Sequence, residues 1–73
     1  MSQYDTLDRL IVKALRKTPM NFTALWSEDD VEGDILRLAR LLGRDDARIL
    51  DGRLQALKKR GLIYYDGRVW RTA

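Results

Sequence analysis

The chain contains no cysteine and no histidine among its 73 residues. The absence of cysteine excludes a disulfide framework, and the absence of both residue types excludes metal sites built from thiolate or imidazole ligands. An enzyme would then depend on paired carboxylates, or on an activated lysine, serine or tyrosine in a pocket. Because so short a chain builds only a modest core with little room for a pocket, we expect no enzymatic activity, no metal and no cofactor.

No apolar run in the sequence approaches the length of a membrane span, and the first residues lack the pattern of a signal peptide. Repeats, linkers and low-complexity segments are also absent. Hydrophobic residues make up 45% of the chain, which is enough for a folded domain and too much for a disordered one. We therefore expect residues 1–73 to form one cytoplasmic domain without a membrane partner.

The one proline in the chain, Pro19, marks the end of the first predicted helix. Proline disfavours the helical conformation of the residue before it, and five apolar residues recur at helical spacing upstream. This pattern predicts a helix over residues 5–17, with Asp5 as its cap. The expected buried stripe comprises Leu7, Leu10, Ile11, Ala14 and Leu15.

Residues 20–26 are too few for the pattern to assign them to one regular element. Residues 20–22 are interpreted either as a turn or as one or two β-bridge residues that pair with the hairpin, and residues 23–26 as a single helical turn. Phe22 and Trp26 are interpreted as core residues, because no polar side chains cluster around them in the sequence.

Two further helices are predicted on either side of Gly43. Residues 28–42 follow Ser27 as a cap and begin with three acids, which a helix N-terminus favours, and Gly43 ends this helix. Residues 45–60 form the third helix, capped by Asp45. The expected buried stripes are Val31, Ile35, Leu38, Ala39 and Leu42 in the second helix and Ala47, Leu50, Leu54 and Leu57 in the third.

A β-hairpin is predicted after the third helix, with strands at residues 62–65 and 68–71. Asp66 and Gly67 separate two runs rich in β-forming residues, and this dipeptide favours a two-residue type I′ turn, whose central residues both need positive φ. The predicted fold class is therefore α+β and mainly helical, with three helices and a C-terminal two-stranded hairpin.

Both faces of this hairpin are apolar, so the pattern leaves open which face covers the helices. A two-residue turn pairs Ile63 with Trp70 on one face and Tyr64 with Val69 on the other. We expect the second face, together with Leu62, to lie inward. The Ile63–Trp70 pair would then be exposed and available to a partner.

Positive charge is concentrated in the second half of the chain. Residues 1–34 carry four basic and seven acidic side chains, whereas residues 35–73 carry ten basic and four acidic ones. Such an asymmetry is typical of a domain whose basic part faces a polyanion. The alternative interpretation is a well-solvated surface rich in lysine and arginine, and composition does not separate the two.

Two phrases precede the hairpin, LARLLG at residues 38–43 and LDGRLQALKKRGLI at residues 50–63. Together with the hairpin they resemble winged helix-turn-helix domains, such as the DNA-binding domains of small bacterial transcriptional regulators. The resemblance covers most of the chain, although residues 23–33 make a longer link between the first two helices than is usual. It implies double-stranded DNA binding and transcriptional regulation, with helix 45–60 in the major groove and hairpin 62–71 on the backbone.

The outward face of the third helix carries side chains suited to that implied role. Arginine and glutamine bond to guanine and adenine edges in the major groove, and a glycine lets the helix backbone approach closely. Contacts to phosphates supply affinity and salt dependence instead of base reading. The base-facing candidates are Arg48, Gly52, Gln55 and Lys59, and the phosphate candidates are Arg44, Arg53, Lys58, Arg60, Arg68 and Arg71.

Several features of the same region count against tight DNA binding. Asp45, Asp46 and Asp51 place negative charge near the proposed groove. Gly52 has the alternative interpretation of a tolerated weak spot, which costs about 1 kcal/mol relative to alanine. A hairpin with a two-residue turn is also too short to insert deeply into a minor groove.

The alternative function is a winged-helix module for protein interaction or assembly that binds no DNA. RNA binding is a third interpretation, and the DNA interpretation includes a homodimer that reads two half-sites. An exposed apolar patch would favour a protein partner or a second copy of the chain. The candidate partner surface comprises Val12, Leu36, Ile49, Ile63 and Trp70.

Overall fold

A computed structural model describes residues 3–73, and this part of the chain forms four helices followed by a two-stranded antiparallel sheet. The mainly helical α+β class is therefore confirmed, and the three predicted helices end within one residue of the observed ones. No helix within the described residues is both long and apolar enough to cross a membrane. The elements are α1 (Asp5–Lys17), α2 (Phe22–Trp26), α3 (Asp29–Leu42), α4 (Asp46–Lys59), β1 (Ile63–Tyr65) and β2 (Trp70–Thr72).

Asp45 forms the helix cap that was predicted for it. Its carboxylate accepts hydrogen bonds from two backbone N–H groups in the first turn of α4, at 2.9 and 3.4 Å. Asp5 is instead the first residue of α1, and Ser27 lies at the end of α2. The Ser27 hydroxyl donates to the backbone carbonyl of Thr23 at 3.0 Å, so this side chain is committed to the preceding helix.

The short helix α2 confirms the helical turn predicted at residues 23–26, and it begins one residue earlier, at Phe22. The Asn21 side chain caps it by accepting a hydrogen bond from the N–H of Ala24 at 2.8 Å. Phe22 and Trp26 stack with their ring centroids 6.2 Å apart and pack, partly buried, against the core. Leu25 between them is fully buried, so α2 closes one end of the core.

The core lies between α1, α3 and α4, and β2 covers it from the side of α1. The predicted stripes of α1 and α3 supply seven of its fifteen buried residues within the described chain, and their other three members, Leu10, Ala39 and Leu42, pack against it partly buried. The stripe of α4 differs at its start, since Ala47 is exposed and Ile49 is buried. Ile49 brings more apolar surface into the core than Ala47 does, and this favours the observed orientation of the helix.

The hairpin loop is longer than predicted. Tyr65 pairs with Trp70 at the end of the strands, so four residues, 66–69, form the loop in place of two. The Asp66 carboxylate accepts hydrogen bonds from two backbone N–H groups of this loop at 2.9 Å each, and its own N–H donates to a carbonyl across the loop at 3.1 Å. Gly67 has a φ of 98°, but Asp66 does not adopt the positive φ that a type I′ turn requires.

The hairpin also buries the face that was expected to lie outward. Ile63 and Trp70 are only 2% and 7% exposed, whereas Leu62 and Tyr64 are 43% and 44% exposed. The physical reason is Met20, whose N–H donates to the Trp70 carbonyl at 3.2 Å and whose carbonyl accepts the Trp70 N–H at 2.7 Å. This β-bridge, one of the two predicted alternatives for residues 20–22, holds β2 against the helices.

Candidate nucleic-acid interface

The outward face of α4 carries the four predicted base contacts. Arg48, Gly52, Gln55 and Lys59 are spaced by four, three and four residues, which places them on one side of a helix. All four are exposed, whereas the core residues of α4 lie on its other side. They form a continuous row, called here the α4 row, about 16 Å long at 1.5 Å per residue.

Gly52 lies in the α4 row without a structural need for glycine. A Cβ built on it would meet nothing within 4 Å, and its φ is not among the positive values found at Gly43, Gly61 and Gly67. Glycine in a helix interior costs about 1 kcal/mol relative to alanine. Gly52 therefore weakens α4 without a packing reason and leaves a gap on the accessible side of the helix.

A cleft of about 610 Å³ opens beside the N-terminal half of the α4 row. It lies between Tyr4, just before α1, and the turn that joins α3 to α4. Three arginines and one aspartate border it, and that aspartate, Asp45, is turned towards the amides of its own helix by the cap. The predicted DNA-binding residues that this cleft brings together are Arg44, Arg48, Gly52 and Arg53.

Arg53 is committed to a contact within the chain. Its Nε and Nη2 donate to the two carboxylate oxygens of Asp8 at 2.9 and 2.8 Å, and its guanidinium lies 4.5 Å from the centroid of the Tyr4 ring. The hydrogen bond to Asp8 raises the pKa of Arg53. Asp8 is only 8% exposed, and a carboxylate buried to this degree needs a charged or hydrogen-bonding partner. Arg53 thus joins α4 to α1.

The sequence prediction did not include Asp8 or Tyr4 in any site. The signal for Asp8 was present, because it directly follows Leu7 and lies three residues before Ile11, beside the buried stripe of α1. An acid at the edge of an apolar stripe predicts a buried ion pair, but no local pattern names a partner 45 residues away. Tyr4 had no signal of this kind.

One of the two predicted hairpin cations is also paired. Arg71, on β2, forms an ion pair with Asp66 at the start of the loop. The hydrogen bond from Arg71 holds the pKa of the Asp66 carboxyl well below its usual range, and the backbone N–H groups of Val69 and Arg68 lower it further. Arg68 is exposed at the loop and makes no ion pair with any residue in 3–73.

The remaining phosphate candidates divide between two sides of α4. Arg44 and Lys58 are exposed and flank the α4 row, and neither forms an ion pair within the described chain. Arg60 is exposed too, but it lines a groove against α1 together with Val12 and Leu57. The structure therefore separates Arg60 from Arg44, from Lys58 and from the α4 row.

The predicted partner surface does not form as one patch. Ile49, Ile63 and Trp70 are 4%, 2% and 7% exposed and belong to the core, so their assignment to an accessible surface was wrong. The bridge between β2 and the segment after α1 buries two of them. Leu36 is 48% exposed and Val12 is partly buried, so these two remain accessible.

The chain has no significant match among known protein-family models, among curated proteins or among solved structures. The resemblance to winged helix-turn-helix domains therefore rests on the sequence phrases alone and stays a prediction. Among residues 3–73, no group of three or more acidic side chains is arranged to hold a metal ion.

Proposed function

We propose that the chain is a winged helix-turn-helix domain that binds double-stranded DNA and regulates transcription, with α4 in the major groove and the hairpin on the phosphate backbone. The observation that carries the proposal is the α4 row. Arg48, Gln55 and Lys59 are exposed on one side of a helix, and neither cation forms an ion pair within residues 3–73. Side chains of these types bond to base edges in a groove that is wide enough for an α-helix.

The charge around the α4 row supports the same proposal. Arg44 precedes the helix, Lys58 lies on its flank and Arg68 lies on the hairpin loop, so unpaired cations are available on both elements that would face the duplex. Contacts of this kind bind phosphates without reading sequence. The cytoplasmic location expected from the sequence fits a bacterial regulator of this type and stays a prediction.

The three aspartates oppose binding unequally. Asp45 and Asp46 each accept a hydrogen bond from the N–H of Ala47, at 2.9 and 2.8 Å, so both carboxylates bind a backbone amide in the first turn of α4. Asp51 is exposed beside Gln55 and has no ion-pair partner within the described residues. We therefore expect modest affinity that is strongly dependent on salt.

The test is a titration of the protein with a random-sequence duplex at low salt, followed by amide NMR and fluorescence anisotropy. We expect shifts along α4 and residues 66–69, and a steep loss of affinity as the salt concentration rises. Arg48→Gln and Lys59→Gln should each weaken binding about tenfold if they contact bases or phosphates. No shift at low salt would exclude DNA binding.

Arg40→Gln is the matched control for these substitutions. Arg40 is an exposed arginine on α3 and lies outside the α4 row. Its neighbours on this surface of α3 are Gly33, Leu36, Arg37 and Leu41. Its loss lowers the net charge by the same amount. If Arg40→Gln weakens DNA binding as much as Arg48→Gln does, the α4 row has no special role.

The alternative function, a protein-interaction module, is favoured by one observation on α3. Leu36 and Leu41 are 48% and 67% exposed, and large exposed leucines on one helix favour association with another protein. Sedimentation equilibrium of the purified chain tests this for self-association. If the native chain is a monomer at the highest accessible concentration, the support for self-association through α3 is removed. The same holds if the chain associates but Leu36→Gln and Leu41→Gln leave its association constant unchanged.

A further inference from the structure

A groove of about 790 Å³ runs between α1 and the C-terminal end of α4. Its floor is apolar and consists of Val12 on α1, Leu57 on α4 and Leu62 just after α4. Leu57 is buried, Val12 is partly buried, and Leu62 is 43% exposed. The groove thus offers apolar surface to a ligand, with its deepest part formed by the edge of the core.

The rim of the groove is strongly basic. Four cations line it from α1 and one from the residue that follows α4, and all five are exposed. None of them forms an ion pair with any residue in 3–73. Of the two acids that also line the groove, Asp8 is bound to Arg53. The five cations are Arg9, Lys13, Arg16, Lys17 and Arg60.

The groove is a different surface from the α4 row. At 100° per residue, Leu57 lies roughly 170° and Arg60 roughly 110° around α4 from the middle of the row. Arg53 lines the cleft beside the row and Asp8 lines the groove, so their ion pair stands between the two regions. A ligand in the groove would therefore leave Arg48, Gln55 and Lys59 accessible.

We propose that this groove binds an acidic amphipathic helix of a partner protein. Groove-lining residues occur on every turn of α1 from Asp5 to Lys17, a length of about 20 Å at 1.5 Å per residue. A helix of three to four turns matches that length, and its apolar residues at i, i+4 and i+7 would lie on the floor. Glutamates or aspartates on either side of that stripe would face the five cations.

The apolar floor distinguishes this partner from a nucleic acid. A phosphate backbone would pair with the cations, but it would place charged groups over Val12 and Leu62. Contact between phosphates and apolar side chains contributes no favourable binding free energy. An uncharged amphipathic helix would use the floor and leave the cations without partners. An acidic amphipathic helix complements both features.

The proposal is tested with three labelled 16-residue peptides. The first has leucines at i, i+4, i+7 and i+11 flanked by glutamates, the second replaces each glutamate with lysine, and the third is a scrambled form of the first. We expect the first peptide to bind at low salt and to shift the amides of α1 and Leu62. The other two should bind about tenfold more weakly or not at all.

Variants of the protein locate the site. Arg9→Gln and Arg16→Gln should each weaken binding of the first peptide about twofold, and Leu62→Gln should weaken it about fivefold. The matched controls are Arg40→Gln and Leu41→Gln on α3, which should leave it unchanged. All five side chains are exposed, so the fold should persist, and circular dichroism checks this.

Four results would overturn the proposal. The first is that none of the three peptides binds, and the second is that the scrambled peptide binds as tightly as the first peptide. The third is that duplex DNA shifts the α1 amides more strongly than the first peptide does. The fourth is that these amides shift with the concentration of the protein alone. The last result would assign the groove to a second copy of the chain. Lys59→Gln should not affect the peptide, so failure here is distinguishable from failure of the DNA proposal.

Discussion

Arg53 and Asp8 are 45 residues apart in the sequence and form a bidentate ion pair that joins α4 to α1, with N···O distances of 2.9 and 2.8 Å. The two side chains are 19% and 11% exposed. The guanidinium also lies over the ring of Tyr4. This contact fixes the first turns of α1 against the middle of α4, between the two surfaces for which binding is proposed.

Replacing Arg53 with alanine should therefore destabilise the fold. The change leaves the Asp8 carboxylate largely buried without its partner, and we expect a loss of about 2 kcal/mol in the free energy of unfolding. For a chain of this size, that corresponds to a fall in Tm of roughly 8–16 °C. Urea and thermal denaturation measure the effect.

The double variant Asp8→Ala with Arg53→Ala separates the ion pair from the packing of the arginine. Since Asp8→Ala removes the carboxylate that Arg53→Ala leaves unpaired, the double variant should be more stable than the sum of the single losses predicts. Additive losses would show that Arg53 stabilises the fold through Tyr4 and through its own packing. Arg53→Lys, which keeps the charge but loses the bidentate geometry, should fall between alanine and arginine.

Gly52→Ala should stabilise the protein and weaken its binding to DNA. Alanine is favoured over glycine in a helix interior by about 1 kcal/mol, and the new Cβ meets no atom of the protein within 4 Å. In the proposed complex the same methyl group points at the duplex. Thermal denaturation and anisotropy with duplex DNA measure the two effects on one preparation.

Gly43→Ala is the control for the stability effect, because Gly43 has a φ of 65° at the end of α3 and alanine is strained there. It should lower the free energy of unfolding by about 1 kcal/mol. A Gly52→Ala variant that is more stable and binds DNA with unchanged affinity would show that the duplex does not approach α4 at this position.

The hairpin loop should respond to acid through Asp66. The pKa of its carboxyl lies below the ordinary value of about 3.9, chiefly because Arg71 donates a hydrogen bond to it. Its contribution to stability is therefore complete above pH of about 4 and is lost as the pH falls through the lower, folded-state pKa. NMR titration of the residue 68–71 amides measures the midpoint.

Asp66→Asn is the matched variant for this titration. Its side-chain oxygen can still accept the hydrogen bonds of the loop N–H groups, but it cannot form an ion pair with Arg71. The low-pH transition of these amides should disappear while the loop is retained. A midpoint for the native chain at or above the ordinary value would contradict the ion pair.

Asp51→Asn should strengthen DNA binding. Asp51 is exposed at the edge of the α4 row, and its removal takes away a negative charge that would face the phosphates. We expect an increase of about threefold in affinity at low salt, decreasing as salt is added. Asp29→Asn, at the far end of α3, changes the net charge equally and should have a smaller effect.

The helices could be predicted from the sequence because the spacing of apolar residues along a short segment determines which face of the helix is buried. The stripe before Pro19 and the stripe ending at Gly43 identified α1 and α3 to within one residue. The exposed row on α4 followed from the same reasoning, since Leu50, Leu54 and Leu57 set the buried side and thereby the outward side.

The hairpin could not be predicted to the same depth. Its two faces are equally apolar, so the choice between them depended on the backbone bridge between Met20 and Trp70, a contact between residues 50 apart. The loop length depended on the hydrogen bonds that the Asp66 carboxylate makes around it. Both are decided by contacts that the Asp-Gly pattern does not contain.

The sequence by itself determined the bounds of the three long helices to within one residue, the basic second half of the chain and the order of side chains along α4. Tertiary structure decided which of those cations are available. Arg53 is bound to Asp8, Arg71 to Asp66, and Arg60 lies in a groove against α1. The reason is that helix periodicity is a local property, whereas the partner of a charged side chain depends on how distant segments pack together.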